Sequence, residues 1–337
     1  MRCPTLEELP PPPAGKTGWP WTVGSPRCNI EKPPRISIVT PSFNQGQFLE
    51  ETIRSVLLQN YPDLEYLIID GGSRDESVAI IRRYERWLSY WVSEPDAGQS
   101  AAINKGWQRA TGDILAYLNA DDTYCPNALA AVAAAPTAGL LYGNCYVIDD
   151  QSRRVRRRAL RQASLANVLA WSPSIPQPGM FVSHAALRDI GPLAVNLHYT
   201  MDYELCLRVM QKYPARHIRA YLANMRGHAA AKTARNPSQH VLEGLHVAEA
   251  FFARELPAPL ARRRDFTLAI LHLRLARVYA WQQHRHHARA SVRSALRISV
   301  HPVVLGKSAV VHVMCILSNH MPRLRRWKHS LLQKFTK

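Results

Sequence analysis

Between residues 35 and 122 the chain alternates short apolar runs with longer segments of helical periodicity. No other feature constrains the fold as much. Residues 66–69, 90–92 and 114–118 are continuous apolar runs of strand length, and residues 36–40, Ile-Ser-Ile-Val-Thr, are mostly apolar, the pattern of buried strands. Residues 48–60, 76–87 and 99–111 lie between them with helical spacing, as in Leu49, Ile53, Val56 and Leu57. Strands alternating with helices of this length imply right-handed crossovers. The expected fold class is α/β, a mostly parallel sheet flanked by helices.

Each strand is followed by polar residues: Pro41-Ser42-Phe43-Asn44, Asp70-Gly71-Gly72-Ser73, Asp96-Ala97-Gly98-Gln99 and Asn119-Ala120-Asp121-Asp122. In a parallel sheet these segments converge on one edge, where open α/β sheets bind ligands. The fourth segment delivers two adjacent carboxylates. Successive strand side chains point to opposite faces, so Asp121 and Asp122 share a ligand only if the strand ends and turns. A carboxylate held there suits a hard cation such as Mg²⁺ or Mn²⁺, completed by water and phosphate oxygens. Taken alone, Asp-Asp also fits a solvated turn. A helix N-terminus after Gly98, with Asn104 and Lys105 on the same helix, suits phosphate or sugar hydroxyls. Lys105 also fits a solvated helix lysine, and Asp70 also fits an Asx turn.

Three segments organise the 337 residues. Residues 1–34, with Pro10-Pro11-Pro12-Pro13 and Gly18-Trp19-Pro20-Trp21, form an extended leader expected to pack on the body through its tryptophans. Residues 35–235 form the α/β domain. Residues 236–337 read as a basic helical region. From residue 257 onward there are sixteen Lys and Arg against one acid, Asp265, within a net charge of +18. Arg285, Arg289, Arg293 and Arg297 recur at four-residue spacing as a stripe. Such a region attracts polyanions, an acidic membrane leaflet, nucleic acid or an acidic glycan; basic helices with an apolar face suit an anionic membrane surface among these. The same charge also fits a generally basic surface. No nucleic-acid motif accompanies the charge, so no specific nucleic acid is expected. Residues 303–317 fall short of the ~20 apolar residues of a membrane span and include Lys307 and His312. The first eight residues carry acids and proline in place of a signal peptide's apolar core. Cys3, Cys28, Cys125, Cys145, Cys206 and Cys315 form no CxxC pair, which fits reduced thiols and a cytoplasmic protein.

In order and spacing, Ser37-Ile-Val-Thr-Pro-Ser-Phe-Asn44, Ile69-Asp-Gly-Gly-Ser73, Glu94-Pro-Asp-Ala-Gly-Gln99 and Leu118-Asn-Ala-Asp-Asp122 resemble the successive signatures of the family-2 glycosyltransferases. The likeness is to bacterial members that build surface polysaccharides, and it runs from about residue 6 to about residue 233. It implies a GT-A fold, a nucleotide-diphosphate sugar donor (a UDP-sugar first), a divalent cation and inversion at the anomeric carbon. It implies a glycan or lipid-linked glycan acceptor, and work in the cytoplasm or at the inner face of the plasma membrane. On this resemblance Pro41, Ser42, Asn44, Asp70, Gly71, Ser73, Asp96, Gly98, Gln99, Asn104, Lys105 and Asp121 hold the donor, with Asp70 on the base. Asp122 ligates the metal, and Asp121 reaches hydroxyls, though the two could exchange roles.

Met201-Asp202-Tyr203-Glu204 resembles the family's acidic motif with its first acid replaced, leaving Asp202 as catalytic base. Gly227-His228 through Lys232-Thr233 resembles a C-terminal segment that brings His228 to the cation or diphosphate, with Ala231 where relatives often carry Ser. Asn119 stands where many relatives have Asp. Gln177-Pro178-Gly179-Met180 resembles the acceptor-side loop. The nearest match to the processive motif, Gln282-x-x-Arg285-His286, lacks its Trp, so one sugar per encounter is expected. A nucleotidyltransferase needs a Gly-rich basic loop after the first strand, and Pro-Ser-Phe-Asn-Gln is not one. A degenerate, donor-binding protein or a basic nucleic-acid binder are the remaining alternatives.

Overall fold

The computed structural model describes residues 3–171 and 174–317, with side chains as far as His312. Residues 172 and 173 and the basic end of the chain after Leu317 lie outside the described residues. Two compact units divide the chain, Met1–Arg235 and Asn236–Lys337.

The first unit carries the sheet. β1 (Ile36–Ser42), α1 (Gly46–Leu57), β2 (Leu64–Asp70), α2 (Ser77–Tyr84), β3 (Tyr90–Ser93), α3 (Gln99–Arg109) and β4 (Ile114–Tyr117) follow in the alternation the sequence sets. β1 and β2 are buried along their whole length, which is why their sequences are mostly apolar; the polar residues within them are buried too, as at Ser37, which donates to Glu65. β3, β2, β1 and β4 pair in parallel in that spatial order. β1 runs two residues beyond the expected Thr40, through Pro41 and Ser42. Val39 O accepts from Leu118 while Ser42 O accepts from Gly71, so alternation turns the Pro41 nitrogen toward β4. There β4 has already ended, paired no further than Val39, and the missing N–H costs no ladder bond.

The second half of the sheet is mixed rather than parallel. β5 (Thr123–Tyr124) and α4 (Ala128–Ala133) precede β6 (Leu140–Ile148), a single nine-residue strand. β7 (Arg154–Arg158), α5 (Leu165–Leu169), β8 (Met180–Ser183), α6 (His184–Ile190), α7 (Met201–Lys212), β9 (Ala215–Arg226) and α8 (Lys232–Arg235) complete the unit. β8 joins β4 and β6 antiparallel, β9 runs parallel to β6, and β7 adds to β6 as an antiparallel hairpin strand. Tyr124, Leu129, Phe181 and Leu222 close the core on this side, continuous with Ile38, Ile53 and Ile68.

The leader is held by a buried arginine. Arg54 on α1 has no exposed surface. Its guanidinium donates to the carbonyls of Pro10, Pro20 and Trp21 and to the Tyr84 hydroxyl. Trp19 Nε1 donates to Tyr124 O at 2.9 Å. The leader thus supplies the acceptors that make a buried cation on α1 tolerable.

The second unit is helical: α9 (Pro237–Phe252), α10 (Ala258–Ala261), α11 (Arg264–Trp281), α12 (Arg285–Ile298) and α13 (Pro302–Leu317). Ala269, Ile270, Leu273, Ala295 and Val304 form one of its cores. Among the described residues no helix is long and apolar enough to cross a membrane.

Candidate active site

Leu118 still bonds to Val39 O as a continuation of β4, but the Asp122 N–H closes a turn onto Asn119 O at 3.0 Å. The Thr52 hydroxyl on α1 caps this turn, donating toward Ala120 O and Asp122 O at 2.9 and 2.7 Å. The turn sends the two carboxylates to different partners. Asp122 is buried and accepts the Arg226 backbone N–H at 2.8 Å. Burial, then the charge of Asp121, push its carboxyl well above the usual range. Asp121 Oδ2 lies 3.0 Å from His228 Nε2. The sequence pairs His228 with Asp122 as metal ligands; the structure instead sets His228 against Asp121, because the turn aims Asp122 inward.

Arg226, at the end of β9, fastens this corner. Its Nε donates to Asp121 O at 2.7 Å, and its fork reaches Asp149 O, Ser152 Oγ and the Glu51 carboxylate. The Phe48 ring lies under both Arg226 and His228, with centroid distances of 4.6 and 4.9 Å. Asp121 and His228 offer a carboxylate oxygen and an imidazole nitrogen side by side. Among the described residues no group of three or more His, Cys, Asp or Glu forms a complete cation cage. This pair therefore fits only a cation that draws its remaining ligands from water or a bound phosphate.

At the ends of β1 and β2, Ser42, Phe43 and Gly71 come together. Ser42 O accepts the Gly71 N–H at 2.8 Å, and the buried Ser42 hydroxyl has no hydrogen-bond partner. A Cβ on Gly71 would lie 2.9 Å from Asp96 Oδ2 and 3.3 Å from the Phe43 ring. Glycine is what lets ring and carboxylate close over this backbone. Phe43 is 61% exposed, and the sequence reading passed over it: a lone aromatic in a polar loop carries no periodic signal. Asn44 holds φ +51° and ties the loops together, accepting the Arg74 N–H and donating to Ser73 Oγ.

Asp70 is engaged differently from the expected base contact. It is fully buried. Its oxygens accept from Gly72 N, Ser73 N, Ser73 Oγ and Ser93 Oγ at 2.6–3.2 Å. This is the Asx-turn alternative, locked by a serine from β3. Asp96 is an exposed carboxylate on this edge, and its Oδ1 accepts the Gly98 N–H at 2.7 Å. Gly98 sits at φ +104° before α3, a conformation that favours glycine.

Two expected donor residues on α3 have partners within the protein, one buried and one at the surface. Asn104 is buried and exchanges two hydrogen bonds with the Leu193 backbone. Lys105 is ion-paired with Glu94. Gln99 does reach the site: its Nε2 donates to Asn119 Oδ1 at 2.7 Å, and its Oε1 accepts from Lys232 Nζ at 3.1 Å.

Asn119 donates in turn to Gln177 Oε1 and, at 3.4 Å, to Asp122 Oδ2. Only an amide can accept from Gln99 while donating to these two. An aspartate here would set one more carboxylate against Asp122. The Asn in place of the commoner Asp therefore has a local electrostatic reason.

Gln177 Nε2 bonds Tyr117 O at 2.7 Å, placing the expected acceptor loop beside the end of β4. Asp202 occupies the first turn of α7, where its Oδ1 accepts the Tyr203 N–H. It lies close enough to Tyr117 that its charge, after burial, helps raise that phenol. Glu204 is tied to Arg208 at 2.7 Å. Arg208 also binds the carbonyls of Ile190, Gly191 and Pro192. Of the two acids on this turn, Glu204 supports the loop, and Asp202 is the one whose charge reaches Tyr117 of β4.

Residues 37–191 match the profile of Glycosyl transferase family 2. An uncharacterised glycosyltransferase of Mycobacterium tuberculosis is 32% identical over 181 residues, spanning 52% of this chain and 68% of that protein. This chain belongs to glycosyltransferase family 2. The O-antigen biosynthesis protein RfbC of Myxococcus xanthus is 28% identical over 254 residues, 71% of this chain and 19% of that protein.

Solved structures of glycosyltransferases share the fold. Staphylococcus aureus TarS 1-349, in complex with UDP-GlcNAc, superposes with a TM-score of 0.59 at 14% identity, covering 84% of this chain and 88% of its own. The mannosyltransferase PcManGT of Pyrobaculum calidifontis, in complex with GDP-Man and Mn²⁺, gives 0.57 at 21% identity, covering 90% and 85%. The GT-A fold expected of the family is therefore the fold this chain adopts, with the helical C-terminal region added.

Proposed function

We propose that this family-2 glycosyltransferase moves one sugar from a nucleotide-diphosphate sugar, a UDP-sugar first among candidates, to a hydroxyl of a glycan or lipid-linked glycan with inversion. The observation that carries this reading is the grouping at one sheet edge of three features. These are an exposed aromatic with a carboxylate (Phe43, Asp96), a carboxylate–imidazole pair (Asp121, His228) and an acid on a helix N-terminus (Asp202).

In this reading the base lies against Phe43, with Asp96 accepting its imide N–H; a carboxylate suits that donor edge. The unpartnered Ser42 hydroxyl is a further polar contact. The N-terminus of α3 and the Lys232 ammonium face the diphosphate and offset its charge. Asp121 and His228 would hold a divalent cation, Mn²⁺ or Mg²⁺, which when bound neutralises charge on the leaving diphosphate. The Mn²⁺ and nucleotide sugars in the solved glycosyltransferases support that choice. Asp202 takes the proton from the acceptor hydroxyl as it attacks opposite the leaving group. The Gln177 loop beside β4 shapes the acceptor side.

The setting proposed is cell-surface polysaccharide assembly on the cytoplasmic side, and the O-antigen relative supports it. The test is turnover of UDP-, GDP- and dTDP-sugars by the full chain with Mn²⁺, read as sugar transfer to glycan acceptors or, without acceptor, as slow donor hydrolysis. Turnover of one donor class that Asp202→Asn abolishes supports the reading. Absence of both turnover and binding for all three classes overturns it.

A further inference from the structure

The transfer chemistry leaves one strongly cationic surface of the second unit unused. After Asp265 the chain contains no acidic residue. On α11, Arg274, Arg277 and Trp281 are spaced three and four residues apart and so share one face. Both arginines are half-buried, and Trp281 is 44% exposed. α13 packs against α11, and Lys307 on it is near enough that, after burial, the charges of Arg274 and Arg277 lower its ammonium pKa.

α13 itself has unlike sides. Val304, Ser308 and Val311 are buried. Val303, Gly306 and Val310 form an exposed ridge, with Val303 and Val310 43% and 47% exposed, and Leu305 is exposed on a further side. Val300, just before the helix, is 72% exposed. The neighbouring α12 adds exposed Arg289, Arg293 and Arg297 at four-residue spacing.

We propose that the α11–α13 face formed by Trp281, Arg274, Arg277, Lys307, Val303 and Val310 docks on an anionic lipid bilayer. Cations gathered at one place, beside aliphatic tips and a tryptophan, match the two layers of a bilayer surface. Headgroup phosphates meet the cations, and the tips enter the boundary below them. Half-buried arginine stems with charged ends suit that depth, and tryptophan favours it. A nucleic-acid surface would use the charge but leave the aliphatic ridge facing water. The helix lies on the membrane rather than crossing it: sixteen residues of α13 span about 24 Å, short of the ~30 Å hydrocarbon core.

The test uses the full chain and flotation with vesicles of phosphatidylcholine alone or with about one third phosphatidylglycerol. Floating only with the anionic vesicles is expected. Lys307→Glu should weaken partitioning about tenfold or more, since each cation at the surface contributes a factor of about five. The double variant Val303→Ser/Val310→Ser keeps every charge and should also weaken it about tenfold. Unchanged thermal unfolding would show that both variants fold. Equal floating with neutral vesicles overturns the proposal. So does a serine variant that floats like the parent, or RNA binding as tight as vesicle binding and equally indifferent to the ridge.

Discussion

His228 brings its Nε2 to 3.0 Å from Oδ2 of Asp121, 107 positions earlier in the chain. The contact links the loop after β9 to the turn after β4, and the Phe48 ring holds the imidazole from below. Beside it, Asp122 turns away into the protein under the Arg226 backbone. Two adjacent carboxylates thus have separate partners, an imidazole for Asp121 and a backbone N–H for Asp122.

That division predicts opposite effects of two similar substitutions. His228→Ala should weaken Mn²⁺-dependent nucleotide binding about tenfold or more while leaving the unfolding temperature near that of the parent. Asp122→Asn should keep binding within about threefold. It should cost about 1 kcal/mol of stability, the scale of one compromised hydrogen bond. Calorimetric titration and thermal unfolding of both variants check this; equal binding losses would contradict it.

Asp202 is predicted to act on the acceptor proton and not on the donor. Asp202→Asn should lower kcat by about 10²–10⁴, the usual contribution of a general base, with nucleotide affinity unchanged. Glu204→Gln should instead lower stability, because Glu204 holds Arg208 against the Ile190–Pro192 carbonyls. Steady-state kinetics beside unfolding curves separate the two acids.

Arg226 joins Glu51, Asp149, Ser152 and Asp121 with a side chain that has no exposed surface. Arg226→Met strands the Glu51 carboxylate and should cost about 3–5 kcal/mol, the scale of a broken buried ion pair. Urea unfolding gives the number. A loss below 1 kcal/mol would show that the corner does not depend on the pair.

Glu65 supplies a pH prediction. Burial alone would raise its carboxyl, but hydrogen bonds from Ser37 and Thr111 outweigh that and hold it below the ordinary value. A depressed carboxylate stabilises the fold above its unfolded pKa of about 4.3. That stabilisation fades as pH falls through the lower folded value. Glu65→Gln should therefore be less stable than the parent at pH 7, with the gap narrowing toward pH 3. Unfolding curves across that range test the sign.

The first half of the sheet is legible because buried strands leave mostly apolar runs, and α1 shows its face through Leu49, Ile53 and Val56. What stays hidden depends on contacts distant in sequence. Asp70 reads like a base contact until Ser93, on the neighbouring strand, completes its shell. Arg54 reads as an ordinary helix arginine because its partners are leader carbonyls, which carry no side-chain signature. β7, Arg-Val-Arg-Arg-Arg, has no apolar alternation to show; it is a strand because β6 offers it an edge. Asn104 and Lys105 carry the right chemistry at the right spacing, but Leu193 and Glu94 claim them.

The central claim is a cation-assisted nucleotide site built on Asp121. It is tested most directly by calorimetric titration of the full chain with UDP, with and without Mn²⁺, beside Asp121→Ala. The account predicts binding that needs Mn²⁺ in the parent and is lost in the variant. UDP binding that is indifferent to both Mn²⁺ and Asp121 would contradict it.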